Sequence, residues 1–115
     1  MKRYDDQRLI DIEMAIAAIR DHLTHGDLSE GLIFDAVRIR LLEIGEAVKA
    51  ISLTLLATEP GIPWKEIAAM RDQLAHRYFD TEHAIVQGTV SQDLEPLLHA
   101  VKRLMARTQH SGSTD

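Results

Sequence analysis

The chain has 115 residues and no cysteine, and 45% of its residues are hydrophobic while 27% are charged. This length and balance are typical of one globular domain with a single core, and the lack of cysteine excludes disulfides and thiolate chemistry. The formal net charge of −5 argues against a surface that binds nucleic acid over its whole extent, although it leaves room for a small basic cleft.

The N-terminal segment is charged throughout and lacks the apolar region of a secretory signal. No apolar run in the chain approaches the roughly 18 residues that a membrane span requires. We therefore expect a cytoplasmic protein that has no membrane segment.

The first predicted element is an amphipathic helix from about Asp5 to Thr24. Its apolar residues step by three and four positions, as one buried helix face requires; they are Leu9, Ile12, Ile16, Ile19 and Leu23. Gly26 follows the helix and suits a left-handed C-terminal cap.

The second predicted helix begins with Ser29 as its N-cap and extends to about Ala57. Its apolar seam comprises Phe34, Val37, Leu41, Ile44, Val48, Ile51 and Leu55. Leu32, Ile39 and Leu42 lie off this seam, so more than one face is expected to be buried. Gly45 stands in mid-helix at a cost of about 1 kcal/mol relative to Ala, which indicates that another helix approaches closely.

The polar side of the second helix has two interpretations. It carries Arg38, Arg40, Glu43, Glu46 and Lys49. The simpler interpretation is a solvated face with ion pairs between neighbouring turns. The alternative is that some of these residues border a functional cleft.

The third predicted helix covers Trp64 to Phe79, with Pro63 at its start. Asp80 or Thr81 is expected to cap a short helix that ends near Val90. The final predicted helix covers Asp93 to Arg107 and turns four apolar residues inward, namely Leu94, Leu97, Val101 and Leu104.

Pro96 is compatible with the first turn of a helix but not with its interior, so it marks a fresh start or a kink. No segment alternates with the period of two that a strand requires. The sequence therefore predicts an all-α bundle of four main helices with an interrupted fourth region. We expect residues 1–107 to form the domain and residues 108–115 to form a flexible tail.

The third helix carries an unusual set of polar residues. The segment IAAMRDQLAHRYFD contains Arg71, Asp72, His76 and Tyr78. On an ideal helix Arg71 and Tyr78 fall within about 20° of each other, whereas His76 lies about 140° from Arg71. One helix cannot easily direct Arg71 and His76 at the same atom, but two copies that face each other across a two-fold axis could. From spacing alone, a solvated His and a surface Arg–Asp pair also fit.

The segment RDQLAHRY has the Arg-x4-His-x-Tyr pattern of the HEPN superfamily and resembles the HepT-like ribonuclease toxins in particular. DAVRIRLLEIGEAVKAI resembles the long second helix of that family with its IGEA signature. IPWKEIAAMRDQLAHRYFD resembles its motif helix, and DLEPLL resembles its DLP-x-L stretch. Together these segments cover most of residues 35–104.

The resemblance implies a HEPN-type two-fold homodimer that cleaves RNA, either tRNA or mRNA, without a metal or other cofactor. It also implies a partner, a small MNT-type nucleotidyltransferase that acts as the antitoxin. By the same resemblance Arg71 and His76 are the catalytic pair, and Tyr78 is the side chain that the antitoxin adenylylates. Asp72 conforms to the family pattern. Arg77 stands where relatives often have an acidic residue, and it adds positive charge near the site.

The chemistry of RNA cleavage suits these residue types. When a 2′-hydroxyl attacks the adjacent phosphate, a base must take its proton and an acid must protonate the leaving oxygen. Histidine in general has an unperturbed pKa of about 6.5 and can perform either task, which makes His76 the candidate. Arg71 stays charged and offers forked donors to phosphate oxygens. Asp72, one turn before His76, is expected to orient the imidazole.

Two other functions stay open at the level of sequence. The chain could be a non-catalytic helical module that binds a nucleotidyltransferase partner, or a generic helical dimer. A generic dimer would account for the apolar seams but not for the motif. His22 and His25 have the spacing of a metal-binding pair, but no third ligand accompanies them, so we expect no metal site.

Overall fold

The structure is a computed structural model that describes residues 4–76 and 79–113, and every regular element in these ranges is helical. The elements are α1 (Asp5–His25), α2 (Gly31–Ala50), α3 (Leu53–Leu56), α4 (Trp64–Ala75), α5 (Phe79–Gly88), a π-helical turn (Thr89–Asp93) and α6 (Leu94–Ser113). This confirms the predicted all-α bundle with an interrupted fourth region. None of these helices has both the length and the apolar composition needed to cross a membrane.

The core lies where α1 and α6 pack together and where α2 packs against both α1 and α4. The apolar seams predicted for the helices meet there, because burying them removes the largest apolar area from water. All seven residues of the predicted α2 seam are buried, as are Ile67, Met70 and Leu74 of α4. The four inward residues predicted for the last helix are also buried.

Helix α2 ends at Ala50, so its predicted extension to Ala57 is wrong. Ile51 adopts an extended backbone with φ −80° and ψ 146°. The buried carboxylate of Asp5 accepts hydrogen bonds from the backbone N–H of Ser52, at 3.0 Å, and from its hydroxyl, at 2.6 Å. This contact holds Ser52 outside a helix, since a side-chain acceptor replaces the helical partner of its N–H. The chain then restarts as the short α3, which keeps Leu55 buried.

The turn between α1 and α2 also differs from the prediction. Gly26 has φ 168° and ψ 176°, which is extended backbone and not the expected left-handed cap. Helix α2 begins at Gly31 after Glu30, so Ser29 is not its N-cap. The backbone N–H and the hydroxyl of Ser29 both donate to Asp27 Oδ1 instead. These two hydrogen bonds lower the pKa of Asp27 below its ordinary value.

Helix α4 ends at Ala75, earlier than the predicted Phe79, and His76 is its C-cap residue. The carbonyl of Leu74, one of the unpaired acceptors of the last turn, receives a hydrogen bond from Arg38 Nη1 at 3.1 Å. Arg77 and Tyr78 lie outside the described residues. Because α5 already begins at Phe79, neither Asp80 nor Thr81 is the cap residue that the sequence predicts.

The interruption in the fourth region is the π-helical turn, which ends just before α6 begins. Pro96 therefore occupies the first turn of α6, where its missing N–H is harmless. Helix α6 passes the predicted end at Arg107 and continues to Ser113, so residues 108–113 of the predicted tail are helical. Thr108 is buried, and its hydroxyl donates to the Met105 carbonyl at 2.8 Å.

The segment before α4 is tied to α6 by ion pairs. Glu59 accepts hydrogen bonds from Arg103 Nη2 at 2.8 Å and from Arg107 Nη2 at 3.3 Å. The hydrogen bonds from Arg103, more than those from Arg107, hold the pKa of Glu59 below its ordinary value. Its backbone carbonyl accepts from Trp64 Nε1 at 3.0 Å. These contacts set where α4 starts.

Gly45 lies at a close contact between α2 and α4. A Cβ added at Gly45 would lie 3.0 Å from the Cβ and the backbone N of Arg71, and 3.0 Å from the Ile67 carbonyl oxygen. Two of these atoms belong to the backbone of a packed helix and have little freedom to move. The predicted close approach is therefore confirmed, and it places Arg71 directly against α2.

We expect Gly45→Ala to destabilise the protein by about 1–3 kcal/mol, the usual cost of an overpacked contact. Gly88→Ala is the matched control, because a Cβ at Gly88 would meet no atom within 4 Å. In the control, the better helix propensity of Ala should raise stability by up to about 1 kcal/mol. Urea unfolding of both variants tests this, and equal stabilities would show that the two helices are not in tight contact.

Candidate active site

Arg71 is held in place by two carboxylates. Its Nε donates to Glu46 Oε2 of α2 at 2.8 Å, and its Nη1 donates to Asp72 Oδ1 at 3.1 Å. The hydrogen bond to Asp72, followed by the negative charge of Glu46, raises the pKa of the guanidinium above its ordinary value. Arg71 is therefore a permanent and positioned cation on a half-buried part of the surface.

A groove of about 770 Å³ runs along α1 and α2 and reaches Arg71 of α4. Its apolar lining consists of Met14, Ala15, Ala18, Leu42, Ala47 and Ala50. Its rim carries three cations and three anions, namely Arg8, Arg40, Arg71, Asp11, Glu43 and Glu46. The balance of rim charges means that an anionic ligand would be attracted by individual guanidinium groups and not by a uniformly basic surface.

The sequence left two interpretations of the polar side of α2 open, and different residues on that side fit different ones. Arg40 and Glu43 form an exposed ion pair at 3.0 Å, as a solvated face predicts. Glu46 lines the groove and contacts Arg71, which supports the alternative for that residue. Arg38 does not belong to a solvated face, since it is buried and its Nη1 donates to the Leu74 carbonyl of the motif helix. Helical spacing could not identify this role because it depends on where α4 packs.

His76 lies apart from the groove within one chain. It is exposed at the C-terminal end of α4, with φ −82° and ψ −10°, and it is not among the residues that line the groove. The wide angle between Arg71 and His76 on the helix accounts for this separation. Tyr78 lies outside the described residues, so its position relative to either group stays a prediction.

Asp72 is exposed, and its carboxylate accepts a hydrogen bond from Arg71. Its predicted part in orienting His76 stays a prediction. In the part of the chain that the structure describes, no group of three His, Asp or Glu side chains is arranged to hold a metal ion.

Comparison with known proteins identifies the family of this chain. The model described as "Ribonuclease HepT-like" matches residues 12–104. A protein of Thermococcus cleftensis named "Probable ribonuclease HepT" is 37% identical over 109 residues, which cover 90% of this chain and 98% of that protein. A "Putative RNase" of Caldanaerobacter subterraneus subsp. tengcongensis is 39% identical over 70 residues, or 60% of this chain and 62% of that protein.

A third relative, from Methanocaldococcus jannaschii, is named "Gamma-glutamylcyclotransferase and putative RNase". It is 30% identical over 105 residues, which cover 91% of this chain but only 47% of that protein. This chain thus spans about half the length of that relative. No solved structure matches the chain.

Proposed function

The chain belongs to the HepT-like ribonuclease family, and from that premise we propose that it is a metal-independent RNA endonuclease and the toxin of a toxin–antitoxin pair. The observation that carries the proposal is the placement of Arg71 in the Arg-x4-His-x-Tyr motif. This residue is a permanent cation that lines a groove and is held there by Glu46 and Asp72. The names of the relatives supply the reaction class, and the motif supplies the residues.

In the proposed reaction, a neutral His76 takes the proton of a ribose 2′-hydroxyl, and the 2′-oxygen attacks the adjacent phosphorus. Negative charge grows on the phosphoryl oxygens, and the guanidinium N–H groups of Arg71 stabilise it. A protonated His76 from a second copy gives its proton to the departing 5′-oxygen. The products are a 2′,3′-cyclic phosphate and a free 5′-hydroxyl.

Glu46 has a defined part in this arrangement. It fixes the Nε side of Arg71, so the guanidinium is oriented before substrate arrives and loses less side-chain entropy on binding. The Nη2 group has no hydrogen bond among the described contacts and is available to a phosphate oxygen. A phosphate that needs both Nη groups must displace Asp72 from Nη1, and the contact of Nε with Glu46 can stay in place.

We propose that the active form is a two-fold homodimer. Within one chain the groove contains Arg71 but not His76, so two copies are needed to bring both groups to one phosphate. Exposed apolar residues beside the groove support this assembly. Met14 lines the groove and is 65% exposed, and Ile39 is 44% exposed on the α2 face that also carries Leu42 and Glu46.

The proposed control is adenylylation of Tyr78 by an MNT-type nucleotidyltransferase antitoxin. The phenol oxygen would attack the α-phosphate of ATP and release pyrophosphate, which leaves AMP on the tyrosine. Tyr78 follows Arg71 by seven residues in the motif, so a phosphodiester on it would add negative charge close to the cationic site. The nucleoside would also occupy space that an RNA strand needs.

We expect His76→Ala to reduce RNA cleavage by about 10²–10⁴-fold, the usual contribution of a positioned acid–base group. Arg71→Ala should reduce it by about 10²–10³-fold, the usual cost of removing a donor that stabilises developing negative charge. Cleavage by the unaltered protein should persist in EDTA and leave 2′,3′-cyclic phosphate ends. His99→Ala and Arg20→Ala are matched controls, because both residues are exposed and contact Glu95, at 3.2 Å and 2.7 Å. Gel assays on a labelled RNA measure all four.

Full activity of purified His76→Ala protein would contradict the catalytic role of this residue. An unaltered protein that cuts no RNA but binds the nucleotidyltransferase would favour the alternative function, a non-catalytic module that recruits this partner.

The dimer proposal predicts that Ile39→Glu and Met14→Glu lower both the dimer fraction and the cleavage rate, since each places a charge on the expected interface. Leu53→Glu is the control, because Leu53 is 82% exposed on α3, away from the groove. Analytical ultracentrifugation gives the oligomeric state. A monomer that cleaves RNA at full rate would refute the model.

Tyr78→Phe should cleave RNA at close to the rate of the unaltered protein, because the phenol hydroxyl takes no part in the proposed proton transfers. The same variant should escape silencing by a cognate nucleotidyltransferase with ATP. Mass spectrometry of the unaltered protein after that incubation should locate one added AMP on Tyr78. If modification silences Tyr78→Phe equally well, or if AMP is found only on other residues, the proposed control is wrong.

A further inference from the structure

A second cavity, of about 430 Å³, lies between α2 and α5 and shares no lining residue with the groove at Arg71. Its size is within the range of ligand pockets, about 300–1,000 Å³. Its polar and aromatic lining comprises Ser29, Phe34, Asp35, Arg38, Glu82 and His83. The sequence motifs assign no function to this set.

Glu82 is the unusual member of the set. It is only 7% exposed, and its Oε1 is fully buried without a hydrogen-bond partner. Buried polar atoms are nearly always hydrogen-bonded, because an unpaired one loses its hydration without compensation. A carboxylate oxygen accepts hydrogen bonds, so a ligand group that suits this atom offers an N–H or O–H donor.

Arg38 supplies a buried donor at the same cavity. It is 6% exposed, and its Nη1 donates to the Leu74 carbonyl of the motif helix at 3.1 Å. Although Arg38 and Glu82 line one cavity, these two described residues form no ion pair with each other. The cavity therefore presents an acceptor and a donor separately.

The third feature of the cavity is a pair of stacked aromatic rings. The rings of Phe34 and His83 are stacked, with centroids 4.1 Å apart and an interplanar angle of 11°. Phe34 is buried beneath, and His83 is half-buried, so part of the imidazole is accessible. Single-stranded RNA bases commonly stack on such rings while their Watson–Crick edges are read by polar side chains.

We propose that this cavity binds the base of a guanosine in the RNA substrate. Guanine presents two adjacent donors, N1–H and the 2-amino group, which match the Glu82 carboxylate, and next to them the O6 acceptor, which matches an Arg38 N–H. Adenine and cytosine each place a lone pair beside a single amino group, and that lone pair would face the carboxylate. Uracil offers one N–H between two carbonyl oxygens.

The position of the cavity connects it with the motif. Arg38 contacts the last turn of α4, two residues before His76, and Glu82 follows His76 by six residues. A base bound there would hold the strand at a set distance from the motif. The inference rests on the proposed ribonuclease function, and it adds a base preference to that function.

Binding is tested without catalysis, by titrating the purified protein with GMP, AMP, CMP and UMP and following NMR shifts. GMP should bind at least about 10-fold more tightly than the other three, within the discrimination expected of one bidentate contact. Inosine monophosphate, which lacks the 2-amino group, should bind more weakly than GMP by a similar factor. This comparison requires no altered protein, and equal affinity for the nucleotides would overturn the proposal.

Glu82→Gln should lower GMP affinity at least about 10-fold, because the amide directs a donor at guanine donors. Glu66→Gln is the matched control, since Glu66 is exposed in the first turn of α4 and lines none of the cavities described above. Circular dichroism establishes that both variants are folded. Unchanged GMP affinity in a folded Glu82→Gln protein would also overturn the proposal.

Cleavage of a randomised RNA pool separates this proposal from the one it rests on. The unaltered protein should cut with guanosine at one constant position relative to the break, and Glu82→Gln should lose that preference while still cutting. Cleavage without any guanosine preference would overturn the cavity assignment and leave the ribonuclease in place. Selective GMP binding by a protein that cuts no RNA would support the cavity and refute the ribonuclease.

Discussion

The contact between α2 and α4 at Gly45 is the constraint on which the candidate site depends. Without a side chain at this position, the two helices approach until the backbone of Arg71 would touch a Cβ of α2. That approach brings Glu46, the next residue of α2, to 2.8 Å from Arg71. Gly45 lowers the stability of α2 as an isolated helix, and packing against α4 offsets this loss. The same packing places a cation at the groove.

The same packing explains how an acidic chain can present a cationic site. The net charge of −5 is spread over the surface, but near Arg71 the carboxylates of Glu46 and Asp72 are engaged with the guanidinium itself. Their charges orient and maintain the cation, which lines the groove. Local arrangement, and not net charge, decides which anion such a groove can bind.

Two buried polar contacts decide where the helices end. Asp5 binds Ser52, and α2 ends at Ala50, seven residues before the predicted end at Ala57. Arg38 crosses from α2 to the Leu74 carbonyl at the end of α4. Each contact joins residues more than thirty positions apart. Neither can be deduced from local periodicity, because a helix pattern describes one segment while these bonds need two segments already packed.

The sequence by itself determined the helical class, the inward seams and the motif, because periods of three and four residues report one buried face directly. It also indicated the close approach at Gly45, since a mid-helix glycine needs a reason. Only the tertiary structure decided the early end of α2, the burial of Arg38 and the unpaired Glu82 oxygen beside it. These depend on which helix faces which, and burial of a polar group is a property of that arrangement and not of its place in a pattern.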